Sequence, residues 1–202
     1  MMTQGEKAER FKALHERPGA FAIPNPWDAG SARLLAKLGF EALATTSAGF
    51  AFSIAKPDGG VTRDETLDNV RAIVAATDLP VSADLEKGFG DDPGACAETI
   101  RLGAEAGLVG GSIEDATGLA GDPIYAFDAA VARMRAAVKA ARRSAPYAAR
   151  ANAPPTLTRF TPTPASSATE KLAAEPISTL TGLGATARTM APMCSSVRSP
   201  GA

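Results

Sequence analysis

The chain has 202 residues, with 21 Lys and Arg against 22 Asp and Glu, one His and two Cys, for a formal net charge of -1. That length suits one domain with a substantial core, and the near-neutral balance leaves no electrostatic footprint for nucleic acid or an anionic membrane. Cys96 and Cys194 lie far apart with no histidine nearby, which argues against a zinc site or a disulfide framework and fits a reducing compartment.

The opening MMTQGEKAERFKALHER is charged throughout and lacks the apolar stretch of a signal peptide. No run is long enough to cross a bilayer, so a soluble, cytoplasmic protein is expected. Residues 6–16 place Phe11 and Leu14 on one side of a short amphipathic helix. FAIPNPWDAG reads as a short strand stopped by two prolines, and Asp28 stands as N-cap of a helix AGSARLLAKLG that ends at Gly39. EALATTSAG reads as a second strand running into a small-residue loop. After KPDGGV, Thr62 and Glu65 form a capping box for a helix over Arg63–Ala76. Residues 79–85 predict a third strand, Asp92-Pro93 opens a helix running to Gly107, and LVGGSIED is a fourth strand. Asp128 is the expected cap of FDAAVARMRAAVKAARR, and PYAARA begins a fifth strand.

Strand, loop and helix recur roughly every 25 to 40 residues, a spacing that makes neighbouring strands parallel because each helix carries the chain back to the same end. Open doubly wound sheets and closed (β/α)8 barrels are both built so. NPWDAGSA after the first strand is no G-x-G-x-x-G, so the dinucleotide fingerprint is missing. Polar side chains recur instead where strands end: Ser47, Asp84 with Glu86, Glu114 with Asp115, and Arg150. In an α/β barrel of the TIM type those ends converge on one mouth, and the barrel is the better reading.

Asp84 and Glu86 share parity, so on an extended strand both face one side and repel unless protons or a cation intervene. With Glu114 they make an all-oxygen set suited to Mg2+, or to Mn2+, which keeps several waters and takes few direct carboxylates. Asp58 lies on a loop flanked by proline and glycine, placed to act as acid or base on a moving lid. Arg150 suits a bidentate grip on a substrate carboxylate or phosphonate. The small residues Ser47, Ala48 and Gly49 let backbone amides approach an oxyanion. Plainer roles suit other residues: Asp91 and Asp92 as helix caps, His15 as surface packing, Trp27 as core or rim, and Cys96 as apolar filler. Lys56 and Lys87 are the candidates for a Schiff-base aldolase, although neither lies within a strand.

FAIPNPWDAGSARLLAKLGFEALATTSAG, KPDGGVTRDE, SADLEKGFGDD, GGSIEDATG and AAR together resemble the isocitrate lyase/phosphoenolpyruvate mutase superfamily, most densely its mutase-like branch. The resemblance implies a (β/α)8 barrel whose mouth binds Mg2+ and a 2-oxo acid or its enolate, in subunits that associate as homo-oligomers. It makes Asp84 the direct metal ligand, with Glu86 and Glu114 holding metal-bound waters. It also makes Ser47, Ala48 and Gly49 the substrate-binding backbone, Asp58 the gating-loop aspartate and Arg150 the substrate-binding arginine. Members that cleave isocitrate or methylisocitrate carry a Lys-Lys-Cys-Gly-His-type loop after the fourth strand, whose cysteine serves as catalytic acid. DATGLAGDPIYAF here has neither cysteine nor histidine, which points toward a mutase, a phosphonate or oxaloacetate hydrolase, or another carbon–carbon lyase.

After residue 151 the alternation stops. Only about five βα units precede this point, against the eight of a complete barrel. The chain therefore divides into a partial barrel, 1–151, and an irregular tail, 152–202, rich in Pro, Ser, Thr and Ala. A shift of reading frame near residue 151 accounts for the change. Read two bases later, the codons of MAPMC (190–194) allow Gly-Ala-Asp-Val-Leu, which resembles the family's approach to its sixth strand. On that expectation the chain as written is an inactive remnant with open sheet edges.

Overall fold

The computed structural model describes residues 2–144 and the backbone of 184–185. Its first helix, α1 (Gln4–Glu16), starts earlier than the amphipathic pattern suggested, because Thr3 and Glu6 form a reciprocal capping box. α1 buries Ala8, Phe11 and Leu14 against Ala42 and Val109. Its polar side chains also fix it: Gln4 Nε2 donates to the carbonyls of Ala104 (2.7 Å) and Leu108 (2.8 Å), and Lys7 Nζ to that of Thr77 (2.9 Å). Gly110 is required beneath it, since a Cβ there would stand 2.8 Å from Phe11 Cε1 and 2.7 Å from Ser82 Oγ.

The predicted first strand does not form. Within FAIPNPWDAG, Pro24 and Pro26 have no N–H to give a ladder, and the segment makes a single sheet-like bond, from Ala44 N–H to the Pro24 carbonyl (3.1 Å). Asp28 then caps α2 (Ala29–Lys37) as expected, accepting from Ser31 N–H. β1 (Leu43–Ala44) is followed at once by α3 (Ser47–Ser53). α4 (Arg63–Ala76) carries the predicted Thr62–Glu65 capping box. β2 is Val81–Asp84, shorter than 79–85; α5 (Pro93–Glu105) starts at Asp92-Pro93; and β3 is Gly110–Ser112. A hairpin absent from the sequence reading follows, β4 (Ala116–Leu119) with β5 (Asp122–Ile124). α6 (Phe127–Arg143) has Ala126 at its N-cap with no side-chain bond, so Asp128 lies inside the first turn, where it favours the helix dipole rather than capping it.

β1, β2, β3 and β6 (Gly184–Ala185) form a parallel sheet in chain order. Helices connect β1 to β2 and β2 to β3, and the order shows none of the reversal that defines a doubly wound sheet. It is the order that successive units of a barrel have, and among the described residues it comprises four strands. The predicted fifth strand, PYAARA, lies outside the described residues.

Sheet alternation sorts the side chains. Leu43, Val81, Ala83, Leu85 and Ile113 pack with Leu67, Val70 and Ile73 of α4, Ile100 of α5 and Ala137 of α6 in one core. Each large aliphatic side chain buried there contributes about 1.5–3 kcal/mol relative to exposure. The opposite face carries Ala44, Ser82, Asp84, Ser112 and Glu114, all only partly buried.

Candidate functional site

Asp84 ends β2, and its register partner on β3 is Ser112. Thr45, following β1, takes the Asp84 amide proton on Oγ1 (3.1 Å). The Asp84 carboxylate accepts three bonds: Ser47 N–H (3.1 Å) and Ser47 Oγ–H (2.8 Å) at Oδ2, and Glu86 N–H (3.1 Å) at Oδ1. Two chain segments therefore fix its orientation. Thr45 is a positioning residue the sequence reading passed over, with no signal beyond its place beside a strand end.

Ser47, Ala48 and Gly49 are not a loop; they form the first turn of α3, capped by Thr46 Oγ1. The cap and Asp84 take up two of their amides, Gly49 N–H on Thr46 Oγ1 (3.4 Å) and Ser47 N–H on Asp84. The Ala48 amide is left without a protein acceptor among the described residues. Gly49 lies so close to Trp27 that a Cβ would meet the indole at 2.3 Å. Trp27 itself is 47 % exposed, a rim residue rather than core.

Glu86 does not share an extended strand with Asp84. β2 ends at Asp84, and Glu86 sits in the following turn with φ +48°, a left-handed conformation unusual for a side-chain-bearing residue. The parity argument fails there, but the acidic groups still gather. Glu114 N–H donates to the Glu86 carbonyl (2.8 Å), extending the β2–β3 pairing past both strand ends. Burial, then the charges of Asp84, Asp58 and Glu114, push the Glu86 carboxyl up to about 7. Burial, then Asp84, Asp58 and Asp115, raise Glu114 as well. Asp58 is exposed, in a turn where its Oδ1 accepts Gly59 N–H (3.1 Å), yet its charge reaches both glutamates. Asp58, Asp84, Glu86 and Glu114 thus form one electrostatic group. Arg150 lies outside the described residues.

The fit of a divalent cation can be judged from the donors. All are carboxylate oxygens, which suits a hard ion, and Glu86 Oε1 is buried with no hydrogen-bond partner. Among the described residues no three His, Cys, Asp or Glu side chains close on a common point as a ready cage. An ion that takes few direct protein ligands and keeps its own waters would not need such a cage.

The other candidates resolve plainly. Asp92 caps α5 through Gly94 and Ala95 amides, whereas Asp91 is no cap: it accepts Lys87 Nζ–H (2.8 Å) and the Tyr125 hydroxyl. Lys56 pairs with Glu65, and Asp91 holds the Lys87 ammonium above its usual range, away from the neutral amine a Schiff base needs. Cys96 is fully buried and its thiol is pushed up by that burial. His15 is wedged between Phe11 and Phe21.

The sequence profile of the phosphoenolpyruvate phosphomutase family matches residues 11–153. A candidate lyase/mutase from Burkholderia cenocepacia J2315, known from its crystal structure, is 69% identical with a TM-score of 0.68, over 69% of this chain and 50% of that one. 2,3-Dimethylmalate lyase, a member of the PEP mutase/isocitrate lyase superfamily, is 33% identical with a TM-score of 0.62, over 71% of this chain and 50% of its own. The 2-methylisocitrate lyase of Halalkalibacterium halodurans is 36% identical over 114 residues, 56% of this chain and 38% of the enzyme. The chain spans about half the length, or less, of these relatives. By its profile match and its relatives, the chain belongs to the phosphoenolpyruvate mutase/isocitrate lyase superfamily, a group of lyases and mutases.

Proposed function

We propose that this sequence encodes a Mg2+-dependent lyase or mutase, with Mn2+ able to substitute, that makes or breaks a C–C or P–C bond beside a 2-oxo acid. The observation that carries the reading is the group formed by Asp84, Glu86, Glu114 and Asp58, in which burial and then mutual repulsion raise Glu86 to about 7 and one Glu86 oxygen has no partner. A bound divalent ion supplies positive charge against the 2-oxo oxygen as negative charge develops there. Asp84 is held in place beforehand by Ser47 and Thr45, so no reorganisation is needed when the ligand arrives. The open Ala48 amide is the donor left for a substrate oxyanion. Asp58 exchanges a proton from the exposed turn, and Arg150 orients the substrate carboxylate or phosphonate. The test is pyruvate-type product release by the chain with its missing C-terminal half restored, from small 2-oxo acids, their aldol-type adducts and three-carbon phosphonates, with Mg2+ or with EDTA. Turnover that needs Mg2+ and is lost in Asp58→Asn supports the reading; turnover indifferent to EDTA overturns it.

A second reading concerns the tail. The family match stops at residue 153, where the strand–helix alternation also stops, and we infer a shifted frame over 152–202 that leaves the chain as written an inactive remnant. Sequencing the gene around codon 151 decides this. A one- or two-base change that restores barrel-like coding downstream supports it, and an intact frame with no such restoration removes it.

A further inference from the structure

Arg133, 1% exposed on α6, is the largest fully buried side chain among the described residues. Among the described residues it makes no ion pair. Its guanidinium instead donates Nη1–H to the Gly90 carbonyl (2.7 Å) and Nη2–H to the Lys87 carbonyl, and lies 4.1 Å from the centre of the Tyr125 ring. Nε is buried without a partner. Taking a cation out of water on such terms is costly, so position is what the residue provides.

The two carbonyls it grips bracket Gly88 and Phe89. Glu86, Gly88 and Phe89 all have positive φ, of 48°, 81° and 57°. Left-handed residues with side chains persist where the surroundings over-determine them, and here both flanking helices do so. From α5, Thr99 Oγ–H donates to the Gly88 carbonyl (2.8 Å); from α6, Arg133 takes Lys87 and Gly90. Tyr125, which stacks on Arg133, donates its hydroxyl to Asp91 and its amide to the Asp115 carbonyl (2.9 Å), so the hairpin is tied to the same turn.

We propose that Arg133 is a positioning residue that clamps the Lys87–Gly90 turn and so keeps Glu86 in place beside Asp84 and Glu114; this rests on the proposed role of those carboxylates in holding a cation. The test uses the 202-residue chain with Arg133→Met and Arg133→Lys, the second retaining charge and bulk but not the two-pronged grip. Two readouts are taken: hydrogen exchange, and Mn2+ affinity by electron paramagnetic resonance. We expect the amides of Gly88 and Glu114, which bond to Leu85 and Glu86, to exchange at least about tenfold faster, with Val70 and Ile73 in α4 unchanged. Mn2+ affinity should fall about tenfold, the low end for loss of an outer-shell partner. Unchanged protection at Gly88 and Glu114 overturns the proposal, as does equal loss of protection everywhere in both variants, which marks a residue needed only for folding. Local loosening with unchanged Mn2+ affinity overturns the link to Glu86. If the parent chain takes up no Mn2+, the cation reading falls, and the exchange pattern alone decides whether Arg133 clamps the turn.

Discussion

The two faces of the sheet are built from alternate residues of the same short strands, yet they serve different ends. One face carries Leu43, Val81, Ala83, Leu85 and Ile113, each at or below 1% exposure and packed under α4, α5 and α6. The other carries Ser82, Asp84, Ser112 and Glu114, partly exposed and polar. The first face lowers its free energy by excluding water. The second keeps carboxylates together at a cost in burial and then in repulsion, visible in the raised Glu86 and Glu114. Stability and chemistry are therefore separable by a single step along β2, from Ala83 to Asp84.

That separation can be broken deliberately. Leu85→Ala should lower unfolding free energy by about 2–5 kcal/mol through lost burial and the cavity left behind, measured by urea denaturation, while cation affinity of the folded fraction stays unchanged. Gly49→Ala places a methyl against Trp27 and Thr46, and should cost about 1–3 kcal/mol by overpacking, read from the same denaturation curves.

A pH series sharpens the contrast from the polar side. The Glu86 carboxyl holds its proton up to about 7 when folded but releases it near the usual 4.5 when unfolded. Between those values the folded state binds more protons, so stability falls as pH rises through this window. Glu114 acts in the same direction. Glu65, lowered to about 2, chiefly by Lys56, acts only below 4.5 and with the opposite sign. Melting of the metal-free chain should therefore move to lower temperature from pH 5 to pH 8, and Glu86→Gln should flatten that slope; a slope that the variant leaves unaltered contradicts the assignment. At the small end, Arg17→Ala removes an exposed pair with Glu41 and should leave the denaturation midpoint where it was.

Much of this was legible in the sequence because it is encoded locally. The Thr62–Glu65 box, Asp28 and Asp92-Pro93 announce helix starts through side chains that satisfy free amides within three residues. The strand-end carboxylates were legible too, since a turn of the chain into each next helix leaves them at one end of the sheet. What escaped depends on partners distant in sequence. Glu86 leaves the strand because the turn beneath it is gripped by Thr99 and Arg133, from helices that follow. Arg133 lies in a helix with other basic residues and nothing local marks it as buried; Tyr125 and two carbonyls enclose it. Ser47 to Gly49 read as a loop from their small side chains, but Thr46 caps them into a helix. The hairpin of β4 and β5 escaped because ATGLAGDPI has little apolar alternation, and five of its seven strand residues are exposed.

The most direct test of the carboxylate mouth is calorimetric titration of Mg2+ and Mn2+ into the 202-residue chain, or into its frame-restored form where sequencing reveals the shift, beside Asp84→Ala. Saturable uptake that disappears in Asp84→Ala, with the fold retained, is the predicted result. Absence of uptake in the parent, or uptake undiminished in the variant, contradicts the account.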